Sequence, residues 1–445
     1  MLTRDIELED AILDLLDNCL DGVVRSTDRS LDTKMPYRGY WAKITLNSQT
    51  FQILDNCGGI PGNLIERAFG IGRAFDPTDP HRTIGIYGIG MKRAIFKMAE
   101  EAKVQSHSSF GFEVGINQQW LTNQDDWQLP FKRTNTDFKN GTRLIISRLR
   151  PDIAQILGQR HFQVRLHEFI SRQYAVIINK GFRVEINNVK VEAAPVALLS
   201  ADSDTIASGK SAFAPYMLRY RTQHVRASLW AGMYRNPLDT EGDIEAESEQ
   251  RQSRDNSGWT IICNDRAVVS NDTSLLTGWG EAGVPRFHPQ FIGIRGILTL
   301  DSDYPLELPL TTTKRGLDAA SVLFLTLKDY MREGTKVFTS FTNHWKSDRS
   351  RARRLLEKAE LLELPDLKKL MNDVTLSNVR KLSGAERFQP DLPTPAPSEM
   401  KRISFVRHQD QITLLAKRLL DNEKAKPADV GAQCFDEALR RVSRS

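Results

Sequence analysis

The stretch DLLDNCLDG, residues 14–22, lies in a segment whose apolar and polar residues repeat with the period of a helix. Apolar residues at helical spacing predict a helix over residues 5–24 with one face on a core: Leu13, Leu16, Leu20 and Val24. Polar residues share the opposite face: Asp14, Asp17, Asn18 and Asp21. A solvated polar face explains this pattern, and so does a site for a metal and a phosphate, because Mg²⁺ prefers oxygen ligands.

Two glycine-containing segments follow, DNCGGIPG (55–62) and IGIYGIGMK (84–92). The first ends a pair of strands predicted within residues 41–56, and the second precedes a helix predicted over 91–102. Glycine allows close backbone approach, and a helix N-terminus presents free N–H groups to phosphate oxygens. Taken alone, the segments also fit a plain β-turn and a helix-entry turn. The segment 84–92 is neither a Walker A loop nor a dinucleotide-binding fingerprint.

The first half of the chain interleaves helices with strands that resemble hairpins. A helix is predicted at 63–75, and strands are predicted at 143–149 and within 175–187. This order predicts an α+β fold, with a mixed or antiparallel sheet that carries helices on one face.

The chain is too long for a single core, and its composition changes along the second half. Strands are predicted at 259–269 and 291–300, and a helix at 317–341. Residues 239–257 form a polar, acidic stretch that we expect to be exposed. The predicted order after residue 345 is a basic helical segment (346–387), a proline-rich linker (388–400) and a helical tail (401–445).

Composition excludes several classes of protein. The hydrophobic content of 40% and charged content of 26% are ordinary for a globular protein, and the net charge of +5 permits contact with nucleic acid without requiring it. The four cysteines form no CxxC pair, so neither a zinc ribbon nor a disulfide framework is expected. The first residues lack the apolar core of a signal peptide, and no apolar run approaches the ~20 residues of a membrane span. We therefore expect a cytoplasmic protein that does not contact a membrane.

In their order and separation, the three segments resemble the nucleotide-binding motifs of the GHKL ATPases, the superfamily of gyrase B, the large heat-shock chaperones, histidine kinases and MutL. Within it, the MORC-like and MutL-like prokaryotic proteins are the most similar. The resemblance implies a Bergerat-type ATP-binding sandwich over residues 1–195 and an α+β transducer-like domain over 196–345, followed by the helical tail. It also implies ATP and Mg²⁺ as ligands.

The resemblance assigns a role to individual residues. It implies that Asn18 is the Mg²⁺ ligand, that Asp55 accepts a hydrogen bond from the adenine amine, and that Asp14 stands where the family has a glutamate base. The implied nucleotide contacts are Asn18, Asp21, Asp55, Gly59, Gly85, Gly88, Gly90, Lys92 and Thr142. In LPLTTTKRG (308–316), Lys314 takes the place of the transducer lysine that contacts the γ-phosphate, although an ordinary surface loop also fits. Residues 61–84 would form the lid, with Arg73, His81 and Arg82 as candidate phosphate contacts.

Two departures from the family pattern weaken the resemblance. Cys57 replaces the first glycine of the second motif. Asp14 is one methylene shorter than glutamate, and a misplacement of roughly 1 Å can cost on the order of a hundredfold in rate. Nucleotide binding is therefore better supported than fast turnover.

Two functions remain open. The first is an Mg²⁺-dependent ATPase that works as an ATP-gated clamp, as a homodimer, with partner proteins on DNA, in a context such as bacterial defence. Its DNA contact would be the basic run Lys346–Arg354, which a solvated helix face also explains. The second is an ATP-sensing or chaperone-like interaction module with little turnover, which Asp14 favours. The segments that a histidine kinase, a topoisomerase or the MutL endonuclease would need are not recognisable in this sequence.

Overall fold

The computed structural model describes residues 6–26, 34–69, 90–117, 131–208, 212–235, 256–311, 316–346, 348–357, 359–395 and 403–443. The chain divides into two compact units, Met1–Thr394 and Pro395–Ser445. The boundary falls inside the proline-rich segment. The second unit contains two helices that pack on each other, Gln409–Leu420 and Pro427–Val442. Within the described ranges, no helix combines the length and the apolar composition that crossing a bilayer requires.

The described part of the first unit contains two large sheets, and we name the residues around each of them the first domain and the second domain. Eight strands form the mixed sheet of the first domain. They are β1 (Trp41–Leu46), β2 (Phe51–Asp55), β3 (Ala99–His107), β4 (Gly111–Ile116), β5 (Phe131–Arg133), β6 (Gly141–Leu149), β7 (Arg183–Ile186) and β8 (Val189–Lys190). Their order across the sheet is β5-β4-β3-β6-β2-β1-β7-β8. All neighbours are antiparallel except β1 and β7, which run parallel. The predicted hairpin within residues 41–56 is confirmed.

Helices cover one face of this sheet. They are α1 (Leu8–Ser26), α2 (Ile65–Phe69), which follows a short 3₁₀ turn at Gly62–Leu64, α3 (Gly90–Met98), α4 (Pro151–Gly158), α5 (Arg160–Gln173) and α6 (Ala175–Asn179). Alternate residues of β1 are buried against them: Ala42, Ile44 and Leu46. This alternation is typical of a sheet with one face on the core. The predicted α+β class with helices on one face is confirmed.

Two predictions of secondary structure in the first domain are wrong. The helix expected over 91–102 ends at Met98, because Ala99 begins β3 and pairs with β6. The strand expected within 175–187 is α6 followed by β7. The apolar run Ala175–Ile178 resembles a strand in sequence. However, Ala175 and Val176 pack against Met217 and Trp230 of the second domain, and this tertiary contact outweighs local propensity.

The second domain contains a seven-stranded sheet among the described residues. Its strands are β10 (Tyr216–Arg221), β11 (Val225–Met233), β12 (Gly258–Cys263), β13 (Arg266–Asp272), β14 (Ile294–Ser302), β16 (Ser377–Asn378) and β17 (Ala385–Phe388). The order across the sheet is β13-β12-β14-β11-β10-β17-β16, and β12 and β14 run parallel while the other pairs are antiparallel. The strands predicted at 259–269 and 291–300 correspond to β12, β13 and β14.

Both faces of the second sheet are covered. The long helix α8 (Val322–His344) packs on one face. The other face carries α10 (Leu364–Asp373) and a two-stranded sheet of β9 (Ala197–Ser200) with β15 (Glu360–Glu363). A further short helix, α7 (Ser203–Ala207), follows β9. Burial on both faces explains why β12 is buried along its whole length.

The basic segment 346–387 is only partly helical, contrary to the prediction. It contains α9 (Arg349–Leu356) and α10, and it also supplies β15, β16 and most of β17. β17 pairs with β10, so this segment completes the second sheet through contacts that are distant in sequence. The expected exposed stretch 239–257 lies mostly outside the described residues. Ser257, at its end, is buried and donates a hydrogen bond to Ile292 O at 2.8 Å.

Candidate functional site

Helix α1 is a buried helix that exposes a single residue in its central turns. Every residue from Ala11 to Val23 is buried except Asn18, which is exposed. The carboxylate side chains of the helix are enclosed: Asp14, Asp17 and Asp21 are 9%, 1% and 4% exposed. A solvated acidic face is therefore the wrong interpretation of this segment. Burial of three carboxylates requires compensating partners, whereas Asn18, between them in sequence, is exposed.

The N-terminus of α3 lies against Asp14. A Cβ atom placed on Gly90, the first residue of α3, would stand 3.2 Å from Asp14 Cβ and 3.5 Å from its Oδ2. Lys92, in the same first turn, is 5% exposed, and burial lowers the pKa of its ammonium group. The third motif thus meets the first, with the free N–H end of a helix next to a carboxylate. Gly85 and Gly88 lie outside the described residues, as do Arg73, His81 and Arg82.

Asp55 ends β2 and is held by one donor from the turn that follows it and one from α1. Its Oδ1 accepts a hydrogen bond from the Cys57 backbone N–H at 2.7 Å, and its Oδ2 accepts one from Cys19 Sγ at 3.6 Å. Burial raises the pKa of Asp55 to about 6, although the bonds from Cys57, Cys19 and the Thr142 backbone lower it. A buried carboxylate of this kind gains from any further donor that a ligand brings.

Two glycines allow the backbone to close around Asp55. Gly59 has φ +69°, and a Cβ there would lie 2.2 Å from His107 O. A Cβ on Gly141, the first residue of β6, would lie 2.0 Å from Asp55 O. Both positions exclude any side chain, so the turn after β2 is pressed between β3 and β6. The segment 55–62 is a packed element of the site and not a free surface turn.

Thr142 is held by a residue that the sequence does not single out. Its hydroxyl lies 3.0 Å from Ser106 Oγ, and Ser106 Oγ also accepts a hydrogen bond from the Ile60 backbone N–H at 2.8 Å. Ser106 is fully buried and pairs with Thr142 across β3 and β6. Only strand register could have identified Ser106, because nothing in its neighbourhood resembles a motif.

Asp17 joins α1 to the second domain through a buried ion pair. Its Oδ1 accepts hydrogen bonds from Arg266 Nε at 2.8 Å and from the Tyr174 hydroxyl, which also donates to Leu13 O at 3.3 Å. The side chains of Arg266 and Asp17 are 7% and 1% exposed. Burial lowers the pKa of the Arg266 guanidinium, but Asp17 and Tyr174 outweigh that effect and the net pKa is raised. Arg266 is therefore a permanent cation, and it is bound to Asp17, the residue that precedes Asn18.

The turn that presents Arg266 is built from two residues with left-handed backbone. Asn264 and Asp265 have φ of +46° and +71°, and they connect β12 to β13. Asp265 is bound from the first domain by Lys180 Nζ at 2.6 Å and by the Tyr37 hydroxyl at 3.1 Å. The turn is thus held on both sides by the first domain. The sequence predicts a strand over 259–269, and only the fold shows that it is divided by this turn into β12 and β13 and that the turn contacts Asp17 and Lys180.

The two remaining predicted contacts do not join this cluster among the described residues. Lys314 lies outside the described residues, while Leu310 and Leu317 on either side of it form a β-bridge. In the basic run, α9 buries Ala352 and exposes its arginines at positions 351, 353 and 354. The run therefore presents charge on the surface of the second domain.

The described residues include no group of three or more histidine, cysteine, aspartate or glutamate side chains that could hold a metal ion. A metal at Asn18 would thus need most of its ligands from a bound phosphate compound and water, which is how Mg²⁺ usually binds with nucleotides. The exposed amide of Asn18 fits such a ligand.

Comparison with known proteins agrees with this geometry. Residues 6–137 match a family model described as histidine kinase-, DNA gyrase B-, and HSP90-like ATPase. The matched range contains α1, the turn after β2 and the start of α3, which are the elements that meet at Asp14 and Asp55. A search of curated proteins found none that matches the chain.

Proposed function

Because residues 6–137 form an ATPase domain of the GHKL superfamily, we propose that this chain is an Mg²⁺-dependent ATP-binding and ATP-hydrolysing conformational switch. The observation that carries the proposal is the meeting of three distant motifs around α1. Gly90 of the third motif lies against Asp14, and Cys19 of the first motif donates a hydrogen bond to Asp55 of the second. Buried carboxylates, an exposed amide and a helix N-terminus at one place are the groups that a metal–triphosphate ligand needs.

Different residues contact the adenine, the Mg²⁺ ion and the phosphates of the ligand. Asp55 accepts a hydrogen bond from the adenine amine. The Asn18 amide oxygen binds Mg²⁺, which when bound offsets negative charge on the phosphates. Lys92 and the first N–H groups of α3 attract phosphate oxygens, since both offer positive charge at a helix N-terminus.

Asp14 orients the attacking water as a general base. Its carboxylate is 9% exposed and lies beside Gly90, whose missing side chain leaves room next to it. The side chain is shorter than the glutamate of the family pattern, so we propose slow turnover. This feature also favours the second candidate function, an ATP-sensing or chaperone-like module that binds ATP with little hydrolysis.

The second domain changes its position or conformation when the nucleotide binds to the first domain. The buried contact of Asp17 with Arg266 joins α1 to β13, so a nucleotide that shifts α1 acts directly on the second domain. A ligand moves such an equilibrium only through its different affinity for the two states. We propose that Lys314 supplies part of that difference through the γ-phosphate, and that ATP closes a homodimeric clamp. Light scattering with and without ATP tests the dimer.

We also propose that the chain acts on DNA together with partner proteins. The arginines of α9 at positions 351, 353 and 354 support it, because they are exposed and basic. Phosphate contacts release counterions, so DNA affinity should fall steeply as salt is raised. A DNA affinity that is insensitive to salt would remove this part and leave the ATPase proposal intact.

Two measurements test the core of the proposal. Calorimetry of the full chain with ATP should give binding that requires Mg²⁺ and that is lost in Asn18→Ala. Steady-state phosphate release should then exceed that of Asn18→Ala. Binding without such release selects the ATP-sensing module, and the absence of Mg²⁺-dependent binding rejects both functions.

A further inference from the structure

Two hydroxyl groups lie side by side at the adenine end of the proposed site. Ser106 of β3 and Thr142 of β6 are direct partners in the antiparallel pair, so their side chains lie on the same face of the sheet. Their Oγ atoms are 3.0 Å apart. Ser106 is fully buried, whereas Thr142 is half-buried and therefore partly open to a ligand. The sequence motifs include Thr142 but not Ser106.

Thr142 is the neighbour of Asp55 in the sheet. Strands β2 and β6 are paired up to Leu54 and Arg143, which places Thr142 beside Asp55 at the next step. The backbone N–H of Thr142 donates a hydrogen bond to the Asp55 carboxylate. Adenine presents its amine and ring nitrogen N1, an acceptor, next to each other on one edge. A base whose amine meets Asp55 therefore brings N1 close to a neighbour of Asp55, and Thr142 is such a neighbour.

Ser106 connects Thr142 to the turn that follows β2. Its Oγ accepts a hydrogen bond from the Ile60 backbone N–H at 2.8 Å, and it lies 3.2 Å from the backbone oxygen of Gly141. A backbone donor from the turn and a backbone acceptor from β6 thus hold the Ser106 hydroxyl between them. Because Ser106 is also fully buried, its oxygen has a fixed position next to Thr142 Oγ1.

The count of protons determines what Thr142 offers to a ligand. Each hydroxyl has one proton and two acceptor lone pairs. When the Ser106 proton points to Gly141 O, Thr142 donates to Ser106 and offers only lone pairs to a ligand. When the Ser106 proton points to Thr142 Oγ1, the proton of Thr142 is available to a ligand acceptor. Both arrangements keep the 3.0 Å contact, and an acceptor such as N1 selects the second one.

We propose that Ser106 is a positioning residue that directs the Thr142 hydroxyl to ring nitrogen N1 of adenine. Hydrogen bonds in a chain polarise one another, so the bond from Ser106 to Thr142 strengthens the bond that Thr142 donates to N1. Ser106 acts through Thr142, since its own side chain is fully buried. The inference rests on the proposed function, because it takes Asp55 as the acceptor of the adenine amine. It adds a second contact that recognises the base.

Calorimetry of the full chain with Mg²⁺ compares ATP with 1-deaza-ATP, an analogue in which a C–H group replaces N1 while the amine and the triphosphate are kept. The ratio of the two dissociation constants measures the bond to N1. We expect 1-deaza-ATP to bind the wild type about fivefold to tenfold more weakly than ATP, as for the loss of one neutral hydrogen bond. In Ser106→Ala and in Thr142→Val the two nucleotides should differ by less than about twofold.

Ser147→Ala is the matched control. Ser147 lies on the same strand as Thr142, at the other end of β6, where it pairs with Glu101 of β3. Its removal should leave the ratio at the wild-type value. Ser106→Cys provides a second variant, because it keeps the buried volume and replaces the hydroxyl by a weak donor and acceptor. Its ratio should also fall, and circular dichroism shows whether both variants at position 106 fold.

A ratio that falls in the variants of Ser106 and stays in Ser147→Ala supports the proposal. A merely structural role of Ser106 would weaken the binding of ATP and 1-deaza-ATP equally, so an unchanged ratio in its folded variants overturns the proposal. Equal binding of the two nucleotides by the wild type does so as well, since Thr142 would then not contact N1. Failure of the proposed function gives a different result, because the wild type would then bind neither nucleotide in the presence of Mg²⁺.

Discussion

Replacing Arg266 by methionine should destabilise the chain more than any surface ion-pair change. The substitution keeps the apolar volume and removes the cation that faces Asp17. Asp17, whose side chain is 1% exposed, would then keep one strong donor, the Tyr174 hydroxyl, and would hold a buried charge without a counterion. Breaking a buried pair from one side costs about 3–5 kcal/mol. Total stabilities are roughly 5–15 kcal/mol, so the loss is a large part of the whole.

The same turn supplies the control. Lys180 and Asp265 form a pair at 2.6 Å, and their side chains are 31% and 14% exposed. Lys180→Met removes one cation at the same contact between domains, and partial exposure limits its expected cost to about 1 kcal/mol. The comparison separates the effect of complete burial from the effect of removing a charge at this contact.

Urea unfolding followed by tryptophan fluorescence measures the effect. All variants are made in a background in which phenylalanine replaces Trp41, Trp120 and Trp127, so that the signal comes from the buried tryptophans of the second domain, Trp230, Trp259, Trp279 and Trp345, whereas Asp17 lies in the first domain. A shift of the fluorescence transition by Asp17→Asn would therefore show that the pair couples the two domains. The double variant with Arg266→Met should cost less than the sum of the single ones by about 2 kcal/mol. If Arg266→Met costs no more than Lys180→Met, the inference that complete burial makes the Asp17–Arg266 pair costly to break is wrong.

Three further predictions concern the site itself. Since the pKa of Asp55 is about 6 and its charged form accepts the adenine amine, ATP affinity measured by calorimetry should fall about tenfold per pH unit below that value and level off above it. An affinity that is constant down to about pH 5 would exclude this role. Asp14→Glu should raise the rate of phosphate release, while Asp14→Asn should abolish release and leave ATP binding within about twofold. Equal rates in the wild type and Asp14→Asn would contradict a base at this position. Gly59→Ala should lower stability by about 1–3 kcal/mol in thermal unfolding and weaken ATP binding, because its Cβ would lie 2.2 Å from His107 O at φ +69°. Unchanged unfolding would show that the turn relaxes at no cost.

The sequence alone determined the parts of the protein that depend on spacing along the chain. Apolar residues at helical intervals predicted α1, alternation predicted the hairpin of β1 and β2, and three short motifs in order predicted the GHKL family that the match over residues 6–137 supports. These features are local, because the residues that indicate each helix, hairpin or motif lie close together in the sequence.

Only the tertiary structure decided which polar residues are buried and what they bind. In the sequence, Asp17 is one of several acids on a polar helix face, whereas in the fold it is buried and bound by Tyr174 and Arg266. Ser106 acquired its role from the register of β3 with β6, and α6 became a helix through its contact with the second domain. Such pairings join residues far apart in the chain. They are set by how the domains pack, and no local periodicity contains that information.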